Sequence, residues 1–279
     1  MNSMRLKKRL STLVPYIIKV LVGVLFTSPI LICFLYSFKP NGELLVSTLS
    51  TFLPKAPTLE NFWYVVAKVR MQKYLTNTFI QCFSIIVCQL VFCSMAAYAI
   101  VFYRFKGKKF LWILILMSVM IPGDVIVISN YIQIQRWHLT NTHIGMALPY
   151  LVGGMGIFLM RQFYLTIPKE LAEAAEIDGC SRLGFMWRFA VPLSIPSMAS
   201  LAIYEFIAIY NRYFWPLLVV DKDRMRTIQL GMAYLEGGEN GKVAYILAGA
   251  SFCVIPAVIV FIFGQKFLVK GMTAGAVKG

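Results

Sequence analysis

Acidic side chains are scarce in this chain of 279 residues, with 12 Asp and Glu against 27 Lys and Arg, and only 14% of residues are charged. Soluble domains carry about 25% charged residues, so this deficit excludes an ordinary water-soluble core. Histidine is scarcer still. His138 and His143 are the only two, no Glu stands between them, and solvated side chains account for them better than a zinc or catalytic role. No Gly-x-Ser-x-Gly pattern or paired-carboxylate arrangement stands out, which argues against the familiar hydrolase chemistries. A phosphate loop is missing as well. Its nearest approach, Gly237-Gly238-Glu239-Asn240-Gly241-Lys242, has Glu236 where the first Gly belongs and Val243 where Ser or Thr belongs. No cofactor is therefore expected on this chain.

The six cysteines exclude little less. Cys33, Cys82, Cys88, Cys93 and Cys253 fall inside apolar runs and Cys180 in a polar loop, so neither a disulfide framework nor a metal site is indicated. The net charge of +15 is spread over short loops and forms no single basic stripe, which argues against nucleic acid as a partner.

What the chain has in abundance is apolar length. Hydrophobic residues make up 59% of it, and the mean hydropathy is +0.71. A hydrocarbon core about 30 Å thick needs about 20 apolar residues per helix, and six segments meet that need: 15–38, 74–103, 110–128, 144–165, 197–220 and 244–267. Pro122-Gly123-Asp124 interrupts the third. The first is long for a signal peptide and lacks a small-residue cleavage site, so it reads as a retained helix. The expected fold is all-α, a polytopic membrane protein with six transmembrane helices and a lipid bilayer as its solvent.

Orientation follows from Lys and Arg in the loops. Arg5, Lys7, Lys8 and Arg9 precede the first span, and Arg104, Lys106, Lys108 and Lys109 form a basic turn after the second. Both are expected in the cytoplasm. Basic residues such as Lys68, Arg70 and Lys73 also occur in the expected outer segments, so the asymmetry is a bias. With six spans both termini are cytoplasmic, and so is the loop 166–196.

That loop is the most informative stretch. Pro168 fits the first turn of a helix, and Glu170, Glu173 and Glu176 place negative charge near its N-terminus, where the helix dipole favours it. Ala174 and Ala175 leave a small face, and Asp178-Gly179 supplies a left-handed stop. A second helix is expected from Ser181, with Phe185, Met186, Trp187 and Phe189 as an apolar surface, ended by Pro192 and Pro196. Glu173, Ala174, Ala175 and Gly179, with Phe189, Val191 and Pro192 beyond, resemble the EAA motif of ATP-binding-cassette importer permeases. In that family the helix-turn-helix is the coupling element that docks on the ATPase. The resemblance therefore implies coupling roles for Glu173, Ala174, Ala175, Asp178, Gly179 and Pro192.

From about Asn77 onward the chain is similar to the shorter, six-span partner subunit of the maltose-type group. The strings Ala96-Ala97-Tyr98-Ala99, Asn141-Thr142, Leu148-Pro149-Tyr150, Phe214-Trp215-Pro216-Leu217 and the tail Gly271-Met272-Thr273-Ala274-Gly275 occur in family order. The resemblance implies a carbohydrate importer in a bacterial inner or plasma membrane. Its partners would be a homologous permease subunit, a cytoplasmic ATPase dimer that holds ATP-Mg, and an extracytoplasmic sugar-binding protein. Residues 1–14 and 269–279 would be cytoplasmic, and 15–268 the permease domain. Import of glycerol phosphate or another polyol is the alternative within this fold. A polytopic membrane enzyme is the alternative outside it, and would need an intramembrane catalytic dyad that does not stand out.

A few polar groups fall inside the spans, where a charge at a helix centre costs about 2.5–3.5 kcal/mol on insertion scales. Asp124, Glu205 and Asn211 are the candidates for the substrate path, and packing roles compete for each. Glu205, Tyr210 and Asn211 are expected on one helix. Family members often carry an acid after the Asn, and here Arg212 stands there. An anionic sugar would suit it, but an Arg near the outer end of a span commonly snorkels to the interface. No charge on the substrate is inferred.

Overall fold

A computed structural model describes residues 2–46, 53–237 and 242–273, and of residues 2–13, 45–46, 124 and 268–273 only the backbone. Among the described residues every regular element is helical. Three helices are long and apolar enough to cross a membrane by length and composition, and three bent pairs bring the total to six when each pair is one span. The chain divides into two compact units, Met1–Met71 with Met232–Val254, and Gln72–Gly231 with Ile255–Gly279.

The first unit is built around α1 (Asn2–Tyr36). Pro29 lies inside this helix and cannot donate to the Leu25 carbonyl. The hydroxyl of Ser28 donates to that carbonyl instead, at 2.9 Å, so the helix continues. Side chains from Val14 to Leu31 are largely exposed, which is the expected state of an apolar helix whose solvent is lipid. The end of α1 is fastened by Asn61, whose Nδ2 donates to the carbonyls of Ser37 at 2.8 Å and Lys39 at 2.9 Å. Two short helices follow, α2 (Asn41–Val46) and α3 (Glu60–Trp63).

In the second unit the central element is α4 (Met71–Phe102). After it come α5 (Lys108–Met120) and α6 (Gly123–Arg136), broken at Ile121-Pro122 as the sequence indicates. The fourth span is also broken. Its halves are α7 (His143–Ala147), extended by a 3-10 turn to Tyr150, and α8 (Gly154–Tyr164), bent by 50°. A Cβ on Gly145 would run into the Leu139 carbonyl, so the tight turn into α7 requires Gly there.

The fifth span departs from expectation. Instead of one helix over 197–220, α9 (Lys169–Ile177) and α10 (Arg182–Phe185) lead through a π-turn (Met186–Ala190) and α11 (Val191–Leu193) to α12 (Ile195–Tyr210), which bends away by 71°. Pro192 does not end the second helix. It sits in the first turn of α11, where its missing N–H is tolerated after the π-turn, and the break falls at Ser194. Asn211 lies outside α12, as its cap. Its Nδ2 takes the Ile207 carbonyl at 2.9 Å, and α13 (Phe214–Val219) starts anew three residues on. The last helices are α14 (Ile228–Gly237) and α15 (Val243–Thr273). Of the tail, 274–279 lies outside the described residues.

Two apolar clusters fill the second unit. One gathers Tyr98, Tyr164, Ala175, Phe185, Met186 and Leu201 from α4, α8, α9, α10, the π-turn and α12. The other gathers Val127, Ile134, Met146, Trp215 and Leu230. Beside this second cluster Asn141 adopts φ 58, and its Oδ1 accepts from the backbone N–H groups of Asp221 and Lys222, both at 2.8 Å. Asn is one of the few residues that visits the left-handed region readily. Asn141→Gly keeps that conformation and removes the acceptor, whereas Asn141→Ala loses both. We expect thermal stability of the purified protein to fall in the order wild type, Gly, Ala, with the Ala variant about 1–3 kcal/mol less stable. Equal melting of the two variants would show that the side-chain acceptor alone matters.

Candidate functional site

The predicted coupling segment forms a closed hairpin of helices. Pro168 caps α9 from just outside its first turn, at φ −57 and ψ 136, and α9 ends in a Schellman motif. Cys180 N–H donates to the Ala175 carbonyl at 2.8 Å, and Gly179 N–H to the Glu176 carbonyl at 3.1 Å. Asp178 is the C-cap and Gly179 takes φ 78. A Cβ at Gly179 would meet nothing within 4 Å, so the backbone angle alone selects glycine. Ser181 then caps α10, its Oγ accepting from Gly184 N–H at 3.1 Å.

Which side faces inward is set by the apolar spacing. Ala175 is 7% exposed and Phe185 3% exposed. The Phe185 ring meets Phe102 edge-on at 5.6 Å, and the Tyr98 hydroxyl donates to the Arg182 carbonyl at 2.7 Å. The hairpin is thus held to the end of α4 by ring packing and one directed bond. Phe185 and Met186, expected on the docking surface, are buried instead, because the period of α10 and its π-turn turns them toward α4. Glu173 and Ala174 face outward. The exposed apolar ridge is made by Ile177, Leu183 and Trp187, the last 52% exposed, with Arg188 beside it. An ion pair between Arg182 and Glu176 at 3.9 Å is largely solvated and adds little.

The hairpin continues into the bundle through Ser194, which is fully buried at the 71° bend. Its Oγ donates to the Val191 carbonyl at 2.8 Å. The Tyr164 hydroxyl of α8 hydrogen-bonds both Ser194 and Ser94 of α4, so one phenol ties three elements together at the bend.

The path candidates are not gathered in one place. Asp124 lies in the first turn of α6, after the break, and its side chain is outside the described residues. Asn211 is exposed, and its Oδ1 accepts from Gln229 at 3.4 Å. Glu205 is buried on α12, 7% exposed, and its carboxylate is hydrogen-bonded by Gln89 of α4. Gln89 also donates to the Tyr150 carbonyl at 3.0 Å. The Arg212 guanidinium lies over the Tyr150 ring, 3.5 Å from the centroid, within electrostatic reach of Glu205. Gln89, Tyr150, Glu205 and Arg212 therefore lie together in this unit, the first and third buried and the other two half-buried; the sequence reading weighed Glu205 and Arg212 and missed Gln89. Gln81, Gln89 and Cys93 recur along α4 at spacings that fall within one helical stripe, and that signal marks the inward face of an otherwise apolar span.

These features define a class, an all-α polytopic membrane permease whose broken spans surround buried polar groups and whose helical hairpin projects a small apolar ridge. The chain belongs to the family described as binding-protein-dependent transport system inner membrane component, whose model matches residues 89–274. It is 35% identical over 253 residues to an arabinooligosaccharides transport system permease protein of Halalkalibacterium halodurans, covering 90% of this chain and 91% of that one. It is 30% identical over 275 residues to the sn-glycerol-3-phosphate transport system permease protein of Brucella abortus, covering 95% and 97%. The fold matches a chain of a bacterial ABC transporter involved in the import of the acidic polysaccharide alginate, with TM-score 0.80 and 20% identity over 92% of this chain and 96% of that chain. It is thus a multi-pass inner membrane transport subunit and not an enzyme.

The Schellman turn gives a local expectation. Gly179→Ala places a Cβ in the left-handed region and costs about 1–2 kcal/mol locally, while Gly179→Asn is milder. Limited proteolysis of the purified protein is expected to cut within 177–182 faster in the Ala variant than in the Asn variant. Equal cutting rates in wild type and both variants would contradict the backbone argument.

Proposed function

We propose that this chain is one of two permeases of an ATP-driven carbohydrate importer, and that its 169–193 hairpin transmits closure of a cytoplasmic ATPase dimer. The observation that carries this is the hairpin's construction: a rigid Schellman reversal, bonded to α4, presenting Ile177, Leu183 and Trp187 to a partner. An apolar ridge flanked by charge, on an element whose backbone is over-determined, suits docking into a cleft. Glu173, Ala174 and Asp178 stand on its outer side, Ala175 and Gly179 maintain its shape, and Pro192 leads into the bend. ATP-Mg would be held by the ATPase. Passage needs the homologous permease, and delivery needs an extracytoplasmic binding protein. A binding protein as partner fits another solved chain of similar fold, with TM-score 0.63 and 15% identity, from a bacterial alginate ABC transporter in complex with an alginate pentasaccharide-bound periplasmic protein.

A carbohydrate cargo is supported by the named substrates of the relatives. Those names include both arabinooligosaccharides and sn-glycerol-3-phosphate, so import of a polyol phosphate is the second reading. Measuring which of these the cognate binding protein binds separates the two.

Coupling is tested by Gly179→Val and Glu173→Lys in the assembled transporter. Each is expected to reduce uptake at least tenfold while membrane level stays near normal. Normal uptake by both, at wild-type levels, would remove the hairpin from the coupling role.

Orientation is tested with single cysteines in a background lacking the native six. Lys106→Cys and Ser181→Cys are expected to resist an impermeant thiol reagent in intact cells, and Lys222→Cys to react with it. External labelling at position 106 or 181 would invert the topology and detach the hairpin from any cytoplasmic ATPase.

A further inference from the structure

Arg212 is an incompletely satisfied charge in the described part of the second unit. Its Nη1 is buried and has no hydrogen-bond partner, and among the described residues it makes no ion pair. It lies on the face of Tyr150, where a cation–π interaction contributes about 0.5–2 kcal/mol. The effective penalty for burying an ion remains several kcal/mol after relaxation, so the ring alone does not offset it. Glu205 lies within electrostatic reach but is engaged by Gln89. The result is a guanidinium fixed against an aromatic face, with a free N–H donor and with a neighbouring carboxylate and amide. An aromatic face and fixed amide suit the apolar face and hydroxyls of a sugar. A planar guanidinium with a spare donor suits the oxygens of a carboxylate or phosphate.

We propose that Arg212, seated on Tyr150 and flanked by Glu205 and Gln89, is a charge-selecting subsite of the import path, and that the substrate is an anionic carbohydrate, bearing a carboxylate or a phosphate. The proposal deepens the carbohydrate reading and rests on it. Tyr150 holds the guanidinium in the conformation that meets the anion. Glu205 moderates the site: its negative charge opposes the incoming anion, so binding stays weak enough for release. A solvated Arg at the membrane interface would have no comparable selectivity, because water would screen it.

The test uses the complete transporter in detergent and measures equilibrium binding of defined probes. Digalacturonate is paired with its neutral dimethyl ester, and glycerol 3-phosphate with glycerol. The wild type is expected to prefer at least one anion over its neutral twin by about tenfold or more. A preference confined to digalacturonate assigns a carboxylate, and one confined to glycerol 3-phosphate assigns a phosphate. Arg212→Gln is expected to abolish the preference, and Arg212→Lys to retain part of it. Glu205→Gln supplies the decisive sign. Removing a like charge is expected to tighten anion binding by about threefold or more, whereas a purely structural Glu205 would leave it unchanged or weaken it. Absence of any anion preference in the wild type, an unchanged preference in Arg212→Gln, or weaker anion binding in Glu205→Gln each overturns the subsite. None of these readouts depends on ATPase docking, so a failure here is distinct from a failure of the coupling hairpin.

Discussion

A backbone in hydrocarbon has no water to satisfy its N–H and C=O groups, and the construction of the second unit depends on that constraint. Unbroken helices meet it internally, as α4 does. The broken spans cannot, because each break leaves carbonyls without an intrahelical donor. Side chains from α4 and its neighbours supply what is missing. Gln81 and Trp215 donate to the Met146 carbonyl at 3.2 and 3.0 Å, Gln89 to that of Tyr150, and the Cys93 thiol to that of Gly153 at 3.5 Å. At the loops Asn77 takes the carbonyls of Arg224 and Arg226. The polar residues of α4 are therefore complements to the break in the fourth span and to the 224–226 loop.

The same logic joins the hairpin to the bundle. Its backbone is closed by the Schellman pair at one end and by the Ser181 cap, and what remains is how it is attached. A hydroxyl at Tyr98, the ring of Phe102 and the buried Ala175 fix it to the end of α4, and Tyr164 fixes the bend at Ser194. The hairpin is thereby continuous through Ser194 with α12, which carries Glu205.

The sequence made much of this legible, for identifiable reasons. Long apolar runs located the spans because the bilayer imposes one length on all of them. The left-handed turn at Gly179 was legible because Asp-Gly after a short helix has few other uses. The fate of Pro192 was not, since a π-turn immediately before it shifts the hydrogen-bond register and lets the helix run on. Asn211 looked helical by hydropathy, but its own amide competes for the Ile207 carbonyl and ends α12. The inward faces of Phe185 and Met186 were misread because a hairpin with two apolar sides does not declare which one the bundle takes.

Arg212 shows where composition misleads most. By position it is a residue near the outer end of a span, and long basic side chains at such places commonly reach for water. Reaching for water is one of two ways to satisfy a guanidinium, and the other requires an aromatic face at the right height. Tyr150 provides it only because the fourth span breaks after a 3-10 turn, which presents the ring beside α12 and α13. That break in turn is sustained by Gln89, which also holds Glu205. The setting of Arg212, with the ring beneath it and Glu205 nearby, thus depends on one broken helix and one glutamine, none of which is visible in the Arg itself. A site assembled this way is set by backbone satisfaction first, and its chemistry follows from the side chains that the satisfied backbone brings together.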